Sequence, residues 1–398
     1  HFAHAMAAGR ARDPAGHRAL LDLLRRKDTS AMVRSSALRL LADYHTADAL
    51  GAAIAGLDDP DPLVRVTAVG CLDDLPRHEL LQRVGPLLTD PLRAIRTEAA
   101  RVLSRVPVET FSRKDREAFY PALAEYVLGQ ESMADQAPAH LSMALVYDNQ
   151  GRADKAAEEY RLAVARDPDF LPARNNLGIL YARQAREAEA QQQRLLARAA
   201  QAEAAGRQLT AQRRMEAARQ QLEAARQYAM RAEEQAKTLK QKTALAEQQH
   251  LAAIRIDPRF VEVRDNLARL YYAQGKITEA EAQFRKIIEL APDLPDAHYS
   301  LGLMLAEDEA RLPDAAAALA DAARLAPANA RVRYNYGLAL RKLGRPADCE
   351  NELKAARRLA PAEPDYVYAL AELYLKQQRW AEAAQCARRL VDLRPDVP

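Results

Sequence analysis

The sequence predicts an all-α protein: an α-solenoid of stacked helical hairpins in two arrays, with a long helical hairpin inserted in the second. Three observations predict it. Ala, Leu, Arg, Glu and Gln dominate the 398 residues, with only 14 Gly and 6% aromatics, a mix that favours helices and starves sheets. Residues of one type recur every 31 positions in the N-terminal third, at Arg34, Arg65 and Arg96. Prolines at 258, 292, 327, 361 and 395 recur every 34 or 35 positions toward the end. A chain this long exceeds one ordinary core, and fixed periods mean that neighbouring repeats bury each other's apolar faces.

In the first array, residues 1–106, the arginine column runs with three others. Asp28, Asp59 and Asp90 lie before the arginines, Ala37, Ala68 and Ala99 after them, then Leu41, Leu72 and Leu103. The pattern D-x5-R-x2-A-x3-L resembles HEAT repeats. The resemblance implies that the Asp ends the inter-helix turn and pairs with the repeat's own Arg, while Ala and Leu face the stacked core. Residues 107–136 join the arrays. Ser112 and Asp115 form a helix-start signal, and Phe119, Leu123, Tyr126 and Val127 give one apolar face, so a single packed helix is expected there.

The second array, residues 137–398, is expected to hold six repeats, each closed by a proline that cannot continue a helix. Relative to those prolines, Leu177-Gly178, Leu267-Ala268, Leu301-Gly302, Tyr336-Gly337 and Leu370-Ala371 occupy one large-small pair. Ala156, Ala246, Ala280, Ala315, Cys349 and Ala383 occupy the small position of the second helix. This resembles the tetratricopeptide repeat, a 34-residue helical hairpin. The interval from Pro168 to Pro258 is 90 residues, so 56 are inserted between the two helices of the second repeat.

That insertion, 185–245, has no proline and predicts both helices running outward as an antiparallel arm of roughly 30–45 Å. Its heptad seam reads Ala211, Met215, Ala218, Leu222, Ala225, Ala229, Ala232, Ala236 and Leu239, a seam of close approach and little buried area. Gly206 is the turn candidate although the midpoint is near 214, which leaves unequal arms or a third short helix open. The segment carries 12 Lys/Arg against 7 Asp/Glu. Interleaved Glu and Gln, without a run of aromatics, favour a solvated face over nucleic-acid binding.

Net charge is +3, too small to indicate nucleic acid, and no apolar stretch reaches the roughly 18 residues of a membrane-spanning helix. There is no phosphate loop, H-E-x-x-H, nucleophile elbow or C-x-x-C-H. Cys71, Cys349 and Cys386 read as buried free thiols. His1 and His4 share a helical face but lack a third ligand, and His140 and His298 sit at a packing position, so neither an enzyme nor a metal site is expected. The chain begins at His1, which predicts a piece of a longer or processed protein.

Recognition must then come from shape. In tetratricopeptide stacks the first helices line a groove, and on this chain the lining positions include Asn175, Asn176, Asp265, Asn266, Arg269, Tyr299, Tyr334, Asn335, Arg341, Lys342 and Tyr368. Tyr299, Tyr334 and Tyr368, at one position of successive repeats, form a ladder suited to an extended peptide, with Asn side chains for its backbone. Proteins of the family that clamp a terminal carboxylate carry Lys where this chain has Asn175, Asp265 and Tyr299, so that ligand is not expected.

The order of the two arrays also resembles the C-terminal part of bacterial multihaem c-type cytochromes. The resemblance rests on HFAHAMAAGRARDPAG (1–16), PLLTDPLRAIRTEAARVLSRVP (86–107), RVRYNYGLALRKLGR (331–345) and PDYVYALAELYLKQQRWAEA (364–383). It implies a periplasmic or extracellular location and a docking or assembly role beside redox partners. Haem c would belong to a region before His1, and no cofactor is expected in this chain. The expected function is a non-enzymatic scaffold that holds a protein or peptide segment. The alternative is a structural unit that self-associates end to end through uncovered apolar residues, Cys386, Leu390 and Leu393 at one end and Phe2 and Met6 at the other.

Overall fold

The computed structural model describes residues 2–393 apart from Lys27 and Asp73. His1 of the His1/His4 pair and Pro395, expected to close the last repeat, lie outside the described residues. Every element among the described residues is helical. The chain divides into two compact units, residues up to Ala173 and residues from Arg174 on, so the division falls inside the second array.

The first unit begins with three helix pairs: α1 (Phe2–Arg10) with α2 (Pro14–Arg25), α3 (Ala31–Ala42) with α4 (Ala47–Gly56), and α5 (Pro62–Gly70) with α6 (Arg77–Val84). Then follow α7 (Arg93–Leu103), α8 (Arg113–Glu131), α9 (Ala137–Asn149) and α10 (Ala153–Arg166). Side chains of Asp13, Thr46 and Asp61 accept hydrogen bonds from the first turns of their helices, satisfying backbone donors that have no partner within the helix. The predicted columns form the core: Ala37, Ala68, Ala99, Leu41, Leu72 and Leu103 are all fully buried. Replacing one of these leucines by Ala is worth about 2–5 kcal/mol at such a site.

The arginine column works differently from the expectation. Arg65 and Arg96 reach their own repeat's Asp only through backbone, with Arg65 Nη1 donating to Asp59 O at 2.9 Å and Arg96 Nη1 to Asp90 O at 3.3 Å, and Arg34 Nη1 donates to Thr29 O at 2.6 Å instead. For Arg34 and Arg96 the carboxylate partner comes from the element that follows their own repeat. Arg34 holds Asp59 with two bonds of 2.9 and 2.8 Å, and Arg96 holds Glu125 of α8 with bonds of 2.8 and 3.1 Å. These forks staple successive repeats together, and they hold the Asp59 and Glu125 carboxyls below the usual range. Glu125 makes α8 a continuation of the ladder. Ser112 Oγ accepts from Asp115 N at 3.1 Å, and Phe119, Ala122, Leu123 and Tyr126 are the buried face. One core cluster runs from Ala53 through α8 to Val146 of α9.

The second unit contains α11 (Leu171–Ala211) and α12 (Met215–Ile256), then α13 (Val261–Ala273), α14 (Ile277–Leu290), α15 (Pro295–Leu305), α16 (Leu312–Leu325), α17 (Ala330–Lys342), α18 (Pro346–Leu359), α19 (Pro364–Lys376) and α20 (Trp380–Leu393). Second helices end two residues before Pro258, Pro292, Pro327 and Pro361. A cationic or imidazole side chain six residues after the proline ties that end down. Arg264, His298 and Arg333 bond the carbonyls of Pro258, Pro292 and Pro327 at 3.0, 3.0 and 2.7 Å. Arg264 and Arg333 also reach Gln283 and Glu352 on the second helix, both 19 residues on. His140 does the same in the first unit with Ala134 O and Glu159, so the two histidines at the packing position are hydrogen-bonded. In the interrupted repeat the equivalent bond joins Arg174 to Gln249, 75 residues on, which is 19 lengthened by the 56 of the insertion.

The insertion is a two-helix arm that turns at 212–214, and no third helix is needed. Gly206 lies inside α11, against Leu222: a Cβ there would sit 2.9 Å from the Leu222 side chain. The same contact recurs between Gly337 and Leu353 at 3.2 Å and between Gly302 and Leu319 at 2.7 Å. Seven residues after Gly337 the helix ends at Gly344 with φ +69°, and seven after Gly206 it ends at Arg213 with φ +57°. The closing bond is also the same, from Arg345 N to Leu340 O and from Arg214 N to Leu209 O. The arm tip is thus a repeat turn moved outward.

Gly178 to Gly206 and Ala218 to Ala246 are each 28 residues, so both helices were lengthened by four heptads. A whole number of heptads returns the same face to the partner helix if the pair supercoils at 3.5 residues per turn. Burial has that period, with Ala188, Leu195 and Ala202 on α11 and Ala218, Ala225 and Ala232 on α12. Of the expected seam, Ala211, Met215 and Ala229 are exposed: the first two flank the turn, and Ala229 lies on the second column of the seam, where Leu222 and Ala236 are only half-buried. Twenty-eight residues extend each helix by about 42 Å. Arg213 holds a left-handed conformation that favours Gly, so Arg213→Gly is expected to stabilise the tip by about 0.5–1 kcal/mol. Slower hydrogen exchange at Leu209–Ala218 checks this.

The apolar residues expected to be uncovered are largely covered. Cys386 and Met6 are buried, and Leu390 and Leu393 are half-buried against the last core cluster. Phe2 and Val391 remain exposed, at 47% and 67%. Cys349 and Cys386 are buried free thiols, and burial pushes both up; Cys71 is half-buried, with its Sγ 3.7 Å from Leu38 O.

In the second repeat the position facing Gly178 is filled by His250, where four of the other repeats carry the large Tyr160, Phe284, Leu319 or Leu353 and the last carries Ala387. Its ring is fully buried, a Cβ on Gly178 would meet it at 2.5 Å, and neither ring nitrogen has a hydrogen-bond partner. Burial lowers its pKa to about 4 from the ordinary 6.5. Below about pH 6.5 the unfolded chain takes up a proton that the folded one refuses. Stability is therefore full above that pH and falls by up to about 3 kcal/mol as pH drops to about 4. Urea titrations of the protein and of His250→Phe should show the steeper acid loss only in the former. Parallel pH profiles would remove this role from His250.

Candidate functional site

The first helices of the second unit, α11 in its N-terminal part and then α13, α15, α17 and α19, place the expected site residues at repeating positions seven, eight, eleven, fourteen and fifteen after the prolines. Most of these side chains are joined to one another or to neighbouring first helices. Asn175, buried, donates from Nδ2 to Glu262 at 3.1 Å and accepts from Asn266 Nδ2 at 3.2 Å, linking α11 to α13. Asn176 is half-buried beside it. Arg269 pairs with Asp265 on the same helix at 2.7 Å.

Between α15 and α17, Asn335 donates to the Tyr299 hydroxyl at 2.6 Å, and Lys342 Nζ reaches Ala306 O at 3.2 Å. Between α17 and α19, Arg341 pairs with Glu372 at 2.7 Å. The tyrosines differ among themselves. Tyr299 and Tyr334 are half-buried, whereas Tyr368 is 56% exposed. Tyr334 lies against Tyr366, with ring centroids 4.9 Å apart. Tyr366 had no signal in the sequence, because its register position holds Val332, Ala297 and Val263 in the preceding repeats and reads as core. Tyr272 donates to Glu307, a bond that pushes its hydroxyl up to about 12.

These bonds form a row of separate polar contacts, each tying one first helix to the next or to the turn after it. Its members hold each other in place, so a ligand meets groups already positioned and loses less freedom on binding. Tyr368 and the Lys342 ammonium stay accessible on it.

A second set of contacts fixes the spacing between repeats. Lys276, Arg311 and Arg379, at or just before the start of a second helix, reach back to Glu247, Glu281 and Glu350 of the preceding second helix at 3.1, 3.0 and 2.5 Å. Tyr271 and Tyr374 donate to Glu247 and Glu350, and Lys276 and Arg379 lie over those two rings. The Arg379 guanidinium holds the Glu350 carboxyl down to about 2, while burial pushes the Tyr271 hydroxyl up to about 12. At the base of the arm, Ala182, Ala185, Leu239, Leu270 and Ala273 floor a cleft of about 470 Å³. Among the described residues there is no cluster of His, Cys, Asp and Glu that could hold a metal, and no helix is long and apolar enough to cross a membrane.

Models of known repeat families match in the same order as the two periods. HEAT repeats match residues 18–104. Tetratricopeptide repeats match residues 137–170, 268–308 and 305–348, and YpiA-like tetratricopeptide repeats match 347–392. The chain is similar to the TPR repeat-containing protein of Treponema pallidum (strain Nichols), 31% identical over 160 residues. That stretch is 37% of this chain and 20% of the relative, so the chain spans about a fifth of the length of the curated protein it matches. Among solved structures, the MamA RS-1 ArsTM double mutant aligns at TM-score 0.37 and 22% identity, covering 38% of this chain and 85% of that one. YrrB, described as a TPR protein with an unusual peptide-binding site, aligns at TM-score 0.36 and 19% identity over 39% and 80%.

Proposed function

We propose that this all-α chain of HEAT and tetratricopeptide repeats is a non-catalytic scaffold that holds an extended segment of a partner protein along the first helices of its second unit. The observation that carries this reading is the series of separate polar contacts between neighbouring first helices, from Asn175–Asn266 through Tyr299–Asn335 to Arg341–Glu372, with the open ring of Tyr368 on the last of these helices. Asn and Tyr side chains suit the backbone and side chains of a peptide, and exposed aromatics concentrate binding energy.

Peptides selected from a random library against the protein should lose about 1–2 kcal/mol of affinity on Tyr368→Ala with an unchanged melting temperature. Tyr299→Ala and Tyr334→Ala should lower both, since Tyr299 packs against the cores around Leu319 and Val332 and Tyr334 packs on Tyr366. Selected peptides that bind the Tyr368→Ala protein equally well would move the interface elsewhere.

The finer proposal is docking beside redox partners outside the cytoplasm, and its support is the resemblance to the C-terminal part of multihaem c-type cytochromes. Haem absorbance in the natural full-length protein tests it. End-to-end self-association is the alternative reading. Its support is the exposed Phe2 and Val391, and a monomer in sedimentation at tens of micromolar would dismiss it.

A further inference from the structure

We propose that an arginine-lined cleft between α18 and α20, separate from the tyrosine face, docks an acidic peptide segment of a partner protein. The cleft, of about 780 Å³, is bordered by Arg357 and Arg358 on α18 and by Arg388 and Arg389 on α20, with Pro361 and Ala381 also on its lining. Among the described residues, Asp392 is the one carboxylate on its lining.

Two observations set these arginines apart. Elsewhere in the last repeats all the described arginines but the exposed Arg331 are neutralised in pairs: Arg311 with Glu281, Arg324 with Asp321, Arg333 with Glu352, Arg341 with Glu372, Arg345 with Asp348 and Arg379 with Glu350. None of the four around the cleft makes an ion pair among the described residues; Arg388 has only a 3.4 Å bond from Nε to Ala384 O. Four like charges left facing one opening repel one another, and a ligand of opposite charge relieves that repulsion. The second observation is register. Arg357 stands eight residues after the small position Cys349, where the other five repeats carry Val164, Ile254, Ile288, Ala323 and Val391. A half-buried arginine at a position that is apolar in the other copies is a local feature of this cleft, separate from the helical repeat.

The chemistry selects the ligand. Guanidinium forks match carboxylates in pairs of hydrogen bonds. Two arginine pairs on opposite walls of an open cleft are too spread for one small anion, whereas a short chain with several carboxylates can reach both walls. No aromatic side chain lines the cleft for base stacking, which disfavours single-stranded nucleic acid.

The test is fluorescence anisotropy of the full chain with a labelled Glu/Asp-rich peptide and with its Gln/Asn counterpart. The acidic peptide should bind, its counterpart should not, and affinity should fall as salt rises from ~0.05 to ~0.3 M. Arg357→Gln with Arg389→Gln should weaken binding by at least about tenfold. Arg358→Gln with Arg388→Gln, both exposed, should do the same without touching the half-buried side chain, with helical content and melting temperature as the check on folding. Arg324→Gln, on α16, should leave binding intact. Equal binding by both double variants would overturn the proposal. Tighter capture of polyphosphate or single-stranded DNA by the same four arginines would overturn the choice of a peptide, and the Tyr368→Ala experiment would be unaffected by either result.

Discussion

Excising residues 179–206 together with 219–246 is expected to leave a folded protein whose helical signal falls only by the share of the deleted residues. The excision removes 28 residues from each arm helix and joins Gly178 to Arg207 and Ala218 to Glu247. The shortened repeat then has its left-handed turn residue Arg213 seven positions after Gly178, and His250 four positions after Ala218. That is the spacing of Gly337, Gly344, Cys349 and Leu353 in an uninterrupted repeat. The arm leans on close alanine contacts with little apolar area, so its loss removes little stabilisation from the rest of the unit. Removing 26 residues from each helix instead rotates the two faces by about 200° relative to the 28-residue cut, at roughly 100° per residue. That variant should lose several kcal/mol, because Gly178 no longer faces His250. Urea unfolding of both deletions decides the matter: equal stability would mean that the register of the arm does not matter to the repeat at its base.

The second large effect is expected at Gly178. Its Cβ position is 2.5 Å from His250 Cε1 and 2.8 Å from Nδ1, inside the contact distance of any real side chain. Val would gain slightly in helix propensity over Gly, but the clash with a fully buried ring dominates. Gly178→Val should cost about 3 kcal/mol or somewhat more, and combining it with His250→Ala should return part of that loss. A Gly178→Val protein with an unchanged urea midpoint would mean that the two helices cross elsewhere.

The repeats were legible because each column is one physical requirement stated several times over. Ala37, Ala68 and Ala99 are small because helices pack closely there, and Pro258, Pro292 and Pro327 stop the second helices. Gly206 was legible as a signal but its meaning was not. It reads as a turn because glycine permits turns, whereas its role is close helix contact seven residues before the turn, and the turn itself falls on Arg213, which gives no sign of a left-handed backbone. The partners of the arginine ladder were hidden for another reason. Arg34 and Asp59 are 25 residues apart, and whether an arginine meets its own or the next aspartate depends on how the repeats stack, which spacing within one repeat does not encode. On the candidate face, the positions of Asn175, Asn266, Tyr299 and Asn335 followed from the period, but their bonds to each other come from the stack. Tyr366 and the arginines beside the α18–α20 cleft depart from their columns, so only an explicit comparison of repeats, position by position, would have exposed them.

The most direct measurement of the central claim is hydrogen exchange of the protein alone and saturated with a library-selected peptide. The account predicts new protection on the first helices α13, α15, α17 and α19, strongest around Tyr334–Tyr368, with the arm and the HEAT repeats unchanged. Protection confined to the arm, to the second helices or to the first unit would contradict it.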